Sequence, residues 1–256
     1  MTNLPCSRSL DVRVLARTAR PRLALLLTLL LTLAALLPAC GLGVDGNGQR
    51  SNELRVLADF SRVESDGSLD VHVDQGAASA VTVSIDSNLQ RMVVTRVAGS
   101  TLVIDVDGSI GDTVSGPQVL VTMPALERAT LSGSGRLTTS SFQQDQAVAL
   151  DLEGSGDLVF DGAVPSVAGN LGGSGELRIT GAATSVDLSL DGSGTIDAIG
   201  CSATDAVVSL SGSGRVATTA SRGARVRLSG SGDVDLYGTA TITSLSVSGS
   251  GDVRTH

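Results

Sequence analysis

The sequence has no tryptophan, one tyrosine and three phenylalanines among its 256 residues. Large aromatic side chains supply much of the buried area of many cores, and they form the platforms on which sugars and nucleobases stack. Their scarcity excludes a core built on aromatic anchors and argues against a lectin site that stacks sugar rings. Packing must rely on Val, Leu, Ile and Ala.

Positive charge is scarce after the first 39 residues. Five of the 18 basic residues and one of the 26 acidic residues precede Cys40, which leaves 13 basic and 25 acidic residues and a net charge of −12 from Cys40 onward. An acidic segment with few stacking residues is a poor binder of nucleic acid and of anionic lipid headgroups. We therefore expect neither as a partner.

The first 39 residues have the pattern of a leader. An arginine-rich stretch precedes Leu23–Leu37, an apolar run of about 15 residues, whereas a membrane-spanning helix needs about 20. The run ends in Leu37-Pro-Ala-Cys40, followed by Gly41, which resembles the bacterial lipobox. The resemblance implies that residues 1–39 are a lipoprotein signal peptide, and that Cys40 becomes the lipidated first residue and anchors the protein to a membrane.

Residues 40–57 are expected to hold the lipidated cysteine and a flexible tether, because residues 41–53 are rich in Gly, Asn and Ser. The protein is thus expected outside the cytoplasm, anchored by lipid to a bacterial membrane. Gly41, rather than aspartate, after the lipidated cysteine permits sorting to the outer membrane or the cell surface. A cell with a single membrane would keep the protein on the outer face of that membrane.

Cysteine is also scarce. Cys6 lies in the leader and Cys40 is the predicted lipidation site, so only Cys201 remains in the segment expected to fold. An intramolecular disulfide is therefore excluded there. No histidine lies near Cys201 in the sequence, and we interpret it as a small buried hydrophobic residue rather than a nucleophile.

One motif, Gly-Ser-Gly between two aliphatic residues, occurs seven times. The copies are Leu131–Leu137, Leu152–Leu158, Leu171–Leu177, Leu190–Ile196, Leu210–Val216, Leu228–Val234 and Val247–Val253. Their predicted corner glycines are Gly133, Gly135, Gly154, Gly156, Gly173, Gly175, Gly192, Gly194, Gly212, Gly214, Gly230, Gly232, Gly249 and Gly251. The first glycines are 21, 19, 19, 20, 18 and 19 residues apart. This period is too short for a helical hairpin or a propeller blade and is typical of one coil of a β-solenoid.

The segments between the corners alternate in polarity. In Val148–Glu153, Val186–Leu190 and Leu245–Val247, apolar residues alternate with small or polar ones, a period of two that predicts strands. Each repeat is therefore predicted to form a strand, a Gly-Ser-Gly corner, a second strand and a looser corner. Glycine is expected at the corners because the backbone there takes positive φ or lies close to the next coil.

The same alternation continues upstream without the Gly-Ser-Gly motif, in Leu69–Val73, Val81–Ile85, Leu102–Val106 and Val119–Met123. Residues 58–126 are thus predicted to be an amino-terminal β section that caps the solenoid, and residues 127–256 to be its seven repeats. The expected fold is an all-β parallel β-helix, right-handed, with about 19 residues per coil. The corner serines would form one row along its edge.

Residues 58 to 253 resemble the GIN domain family of bacterial surface lipoproteins and adhesins. The resemblance is carried by Phe60-Ser-Arg-Val63, by Met123-Pro-Ala-Leu126 leading into the first corner, and by the seven corners themselves. It implies a parallel β-helix exposed outside the cytoplasm and a role in adhesion. The family defines no catalytic residues, so none is carried over to this chain.

Gly-Ser-Gly-Asp is similar to part of the repeat of calcium-binding β-rolls, which need an aspartate in every turn. Here the residue after the corner varies: Arg136, Asp157, Glu176, Thr195, Arg215, Asp233 and Asp252. Two arginines and a threonine interrupt the row of carboxylates. We therefore expect no metal site and no cofactor.

A carbohydrate-active enzyme is the alternative function, because parallel β-helices can carry carboxylates in a groove. The candidate acids, Asp157, Asp161, Asp187 and Asp197, are predicted to lie on the outward faces, and no long insertion is present to build a cleft. The favoured interpretation is a noncatalytic envelope lipoprotein, an adhesin or surface scaffold.

Its expected partners are the membrane through Cys40, and surface proteins or cell-wall polymers. Only five residues follow Gly251, so the last coil is expected to leave a strand edge that pairs with another copy of the chain.

Overall fold

The computed structural model describes residues 43–114 and 116–256. The predicted signal peptide and Cys40 lie outside the described residues. Within these two ranges, no helix is long and apolar enough to cross a membrane. The eighteen strands of the described residues are β1 Arg50–Arg55, β2 Arg62–Gly67, β3 Asp70–Gln75, β4 Ala80–Asp86, β5 Val93–Ala98, β6 Thr101–Val106, β7 Gln118–Met123, β8 Arg128–Gly133, β9 Arg136–Ser140, β10 Phe142–Gln143, β11 Val148–Gly154, β12 Asp157–Gly173, β13 Glu176–Gly192, β14 Thr195–Gly212, β15 Arg215–Gly230, β16 Asp233–Tyr237, β17 Thr241–Gly249 and β18 Val253–Thr255.

The strands stack in parallel on two long faces that meet at the glycine corners. Face A holds β6, β2, β8, β11, the carboxyl-terminal parts of β12 to β15, and β17, whereas face B holds β7, β3, β9, the amino-terminal parts of β12 to β15, β16 and β18. A short third side, including β10, closes each coil. The predicted parallel β-solenoid with a period near 19 residues is thus confirmed.

The core consists of aliphatic columns that run along the solenoid. On face A, Leu152 pairs in register with Leu131 and Leu171, and the column continues through the later coils; all three side chains are buried. A second column on face B passes through Val71, Leu137 and Leu158. Each coil buries its leucines against the coils on either side, so stability accumulates from neighbouring contacts.

An additional corner lies in the amino-terminal section, where the sequence motif is incomplete. Gly67 joins β2 to β3, has a φ of +103° and pairs in register with Gly133. The second corner position is Leu69, which is fully buried. The chain between β6 and β7 is long, and nothing lies within 4 Å of a Cβ built on Gly67. No glycine corner packs against the Gly67 corner from the side of β6 and β7, so a side chain is tolerated at Leu69.

The layers of the amino-terminal section do not follow chain order. β6 and β7 lie on the side of β2 and β3 that faces away from β8. β5 pairs antiparallel with β6, β4 pairs antiparallel with β7, and β1 pairs antiparallel with β4. This end of the solenoid is therefore covered by antiparallel strands.

The predicted flexible tether is wrong for the described part of residues 40–57. Arg50–Arg55 forms β1, and the Val44 amide donates to the Ser109 carbonyl at 2.8 Å. β1 buries few side chains, and its Leu54 is 64% exposed. Backbone hydrogen bonds to the edge of β4 hold this strand, so apolar periodicity could not reveal it.

At the opposite end, β17 continues the apolar columns of face A without a covering strand. Leu245 pairs in register with Val226, and Val247 with Leu228. Leu245 and Val247 are about half exposed, at 54% and 46%, whereas their partners are buried. Among the described residues, no strand pairs with the outer edge of β17.

The stacked corners predict a sharp difference between two adjacent glycines. Gly173 has a φ of +129°, and a Cβ on it would lie 2.4 Å from the Gly154 carbonyl oxygen, whereas a Cβ on Gly172 meets nothing within 4 Å. Gly173→Ala should lower the free energy of unfolding by about 2–4 kcal/mol, because it adds backbone strain to a steric clash.

Urea denaturation of both variants measures this effect. Gly172→Ala is the control, and it should leave the free energy of unfolding unchanged to within about 0.5 kcal/mol. Ser174→Ala should be equally mild, since the hydroxyl points outward. Equal midpoints for Gly172→Ala and Gly173→Ala would contradict the interpretation.

Candidate binding surface

The corner serines form a row of exposed hydroxyl groups. At the third corner, the Ser174 and Gly175 amides both donate to the Gly154 carbonyl, at 2.9 and 3.1 Å. The backbone is therefore satisfied by the neighbouring coil, and the hydroxyl is left at the surface. The exposed serines of the row are Ser68, Ser134, Ser155, Ser174, Ser193, Ser213, Ser231 and Ser250. In the last pair, the Ser231 and Ser250 hydroxyl oxygens are 3.1 Å apart.

Ion pairs between neighbouring coils cover much of face B. Arg136 Nη2 donates to Asp157 Oδ2 at 2.6 Å, and this bond raises the pKa of Arg136. Arg178 pairs with Glu176 and lies 3.8 Å from Asp197. Arg136, Asp157, Glu176 and Arg178 border a shallow, open depression of about 300 Å³. Asp157 and Asp197, predicted as outward acids, are thus placed outward and beside arginines.

The other two candidate acids lie apart from these. Asp161 accepts a hydrogen bond from the Thr180 hydroxyl at 2.9 Å, and Asp187 is exposed on face A. The four carboxylates therefore do not converge on one cleft in which an acid and a base could share a substrate. In the described ranges, no three His, Cys, Asp or Glu side chains lie close enough to hold a metal ion.

Cys201 is buried within the short third side of its coil. Burial raises the pKa of its thiol to about 11. A protonated, inaccessible thiol is inert as a nucleophile, so Cys201 acts as a packing residue.

One carboxylate, Asp235, is buried on β16 and was not singled out from the sequence. Its side chain is 2% exposed and pairs with Arg215, and its Oδ1 lies 3.1 Å from His256 Nε2. The His256 ring also stacks on Tyr237, with centroids 4.5 Å apart. Burial opposes ionisation of Asp235, but the hydrogen bond with His256 and the charges of Arg215 and Arg254 outweigh it, so the pKa of Asp235 is lowered. The cluster joins β18 to β16.

The sequence profile of the family described as "Putative auto-transporter adhesin, head GIN domain" matches residues 59–240. The resemblance predicted from residues 58 to 253 is therefore confirmed. A comparison with curated proteins gives no match.

Several solved structures have the same fold. A putative adhesin from Bacteroides fragilis superimposes with a TM-score of 0.76 at 19% identity, covering 84% of this chain and 100% of that one. A putative adhesin from Parabacteroides merdae gives 0.66 at 20% identity, covering 84% and 99%. A protein from Parabacteroides distasonis described as a putative lipid binding protein gives 0.67 at 23%, covering 83% and 99%. At these identities, the likeness shows the fold alone.

The ionised Asp235 cluster predicts a pH-dependent contribution to stability. The folded-state pKa lies below the ordinary value of 3.8. The stabilisation is therefore complete above pH 3.8 and is lost as the pH falls through the lowered pKa. At neutral pH, Asp235→Asn should reduce the free energy of unfolding by about 1–3 kcal/mol.

Urea denaturation from neutral to acidic pH checks this expectation. The difference between the wild type and Asp235→Asn should narrow below pH 3.8. Asp187→Asn removes an exposed carboxylate that makes no ion pair among the described residues, and it should have almost no effect. A difference that stays constant as Asp235 is protonated would refute the assignment.

Proposed function

The chain belongs to the family of auto-transporter adhesin head GIN domains, and from this premise we propose that it is a noncatalytic binding protein of the cell surface. It is held outside the cytoplasm by lipid on Cys40. Its partners are surface proteins or cell-wall polymers that contact the outward faces of the solenoid.

The observation that carries this proposal is the in-register stacking of the corners and of the strand segments beside them, since the register shifts between coils lie away from the corners. Corner glycines pair with corner glycines from Gly133 to Gly249, so outward side chains repeat in straight rows at intervals of about 4.8 Å. Rows of this kind offer the same polar contact many times over. Repeated weak contacts to a polymer or a cell surface add up to strong attachment through multivalency.

Binding of the purified full chain to intact bacterial cells, isolated cell-wall polymers and extracellular matrix proteins tests the role directly. Saturable binding without release of fragments from the bound polymer is the expected result. The heat-unfolded chain is the control, because it keeps the composition but loses the rows. Progressive cleavage of any polymer would replace this proposal with the carbohydrate-active alternative.

The lipid anchor has its own test. Replacement of the predicted lipidation site in Cys40→Ser should move the protein from the membrane fraction to the soluble fraction of the cells, since stable anchoring requires the acyl chains. Cys6→Ser, which changes a cysteine in the predicted leader, should leave the protein with the membranes. If Cys40→Ser stays in the membrane fraction, lipidation at Cys40 is not the anchor.

A further inference from the structure

On the outward side of face A, the three rows nearest the corners carry six serines, two arginines and one valine in the last three coils. The serines are Ser209, Ser211, Ser229, Ser244, Ser246 and Ser248. In the coil before them, Ser189 lies between Asp187 and Asp191. Each of these hydroxyls is partly or fully exposed. Arg225 and Arg227 on β15 stand in the middle of this surface, which we call the serine-arginine patch.

Register places no acidic residue directly beside either of these two arginines. Arg225 lies between Val207 and Ser244, and Arg227 lies between Ser209 and Ser246. None of these neighbours carries a charge, whereas arginines such as Arg128 and Arg136 face an aspartate in the adjacent coil. Among the described residues, neither Arg225 nor Arg227 makes an ion pair. Both side chains are exposed.

The patch also has a concave surface. A depression of about 200 Å³ is lined by Ser209, Arg225, Arg227, Ser244 and Ser246. Arg225 also borders a second depression, where Arg222 Nε donates to Asp205 Oδ1 at 3.0 Å. The charge of Arg225 also acts on the Asp205 carboxylate, but Arg222 is the arginine that forms an ion pair with it.

We propose that Arg225 and Arg227 bind a carboxylate or sulfate group of an acidic polysaccharide, and that the surrounding serines bind its sugar hydroxyls. The proposal rests on the surface-binding function above and names its ligand class. Residues i and i+2 of a strand lie about 6.6 Å apart on one face, a spacing at which two guanidinium groups reach the same anion. Guanidinium groups bind such oxyanions through paired, charge-assisted hydrogen bonds.

The chemistry of the patch favours a polysaccharide over other anionic polymers. It has no aromatic side chain to stack nucleobases, and it lacks the aromatic anchors that dominate protein interfaces. Serine hydroxyls both donate and accept hydrogen bonds, as sugar hydroxyls do. Two acidic residues border the patch, since Asp191 pairs in register with Ser211 and Asp187 with Val207. The anion must therefore bind at the two arginines, and the more distant acidic residues are screened beyond a Debye length of about 8 Å at physiological salt.

Binding of the full chain to dextran sulfate and to polygalacturonate, with neutral dextran as the uncharged probe, tests the proposal. Each of Arg225→Gln and Arg227→Gln should weaken binding of the charged probes about tenfold, the usual effect of losing a charge-assisted hydrogen bond. Arg227→Lys should weaken it less, since the charge remains. Arg96→Gln is the matched control: it removes one exposed arginine without an ion pair from β5, and it should bind like the wild type.

A second measurement uses inorganic sulfate alone. Titration followed through the Nε resonances of the arginine side chains should shift Arg225 and Arg227 and leave Arg96 unchanged. Equal binding of charged probes by the wild type and both glutamine variants would overturn the site and leave the surface-binding function intact. Sulfate shifts without binding of either charged polymer would overturn the polysaccharide assignment. The opposite result is also informative. If the chain binds the charged polymers through Arg225 and Arg227 but does not bind intact cells, the site is supported and the proposed surface function is contradicted.

Discussion

The close contact of one glycine corner with the next is the constraint on which the structure depends. Each corner carbonyl accepts two amide hydrogen bonds from the following coil, and the approach leaves no room for a Cβ; one on Gly192 would lie 2.3 Å from the Gly173 oxygen. A displacement of one residue at any corner would bring a side chain into that gap. The corners therefore set the register of the strand segments on either side of them, and the register shifts between coils lie farther along the strands.

Register in turn decides the chemistry of the surface. Outward side chains lie beside residues of the coils before and after, so a charged residue is paired or unpaired according to what stands in its own column, in the adjacent columns and next to it on its own strand. Arg136 meets Asp157, whereas Arg227 meets serine on both sides. The same composition arranged in another order would produce a different pattern of free and neutralised charge. Function in such a solenoid is thus a property of columns rather than of a local motif.

The interior follows from the sequence more directly than the ends do. Leu152 and Leu158 flank a corner at even spacing, and the period of two places both inside, as the structure has them. The sequence motif did not reveal the corner at Gly67, because Leu69 stands where the other corners have their second glycine. Leu69 is tolerated because no glycine corner packs against this one from the side of β6 and β7. The sequence did not predict β1, because this strand is held by backbone hydrogen bonds and has no buried apolar face that would show as a periodic pattern. The sequence did not predict the buried cluster at Asp235, because its partners Arg215 and His256 are about 20 residues away on other coils.

The sequence by itself determined the strand class, the coil length, the corners and the family, because these depend on alternation and on glycine at a fixed period, both of which are local. Only the tertiary structure decided that β6 and β7 stack on β2 and β3 ahead of the repeats, that Arg50–Arg55 joins the sheet, and that Arg225 and Arg227 form no ion pair among the described residues. Each of these depends on which strands become neighbours. Backbone hydrogen bonding between strands is almost independent of side-chain identity, so the sequence carries little record of that choice.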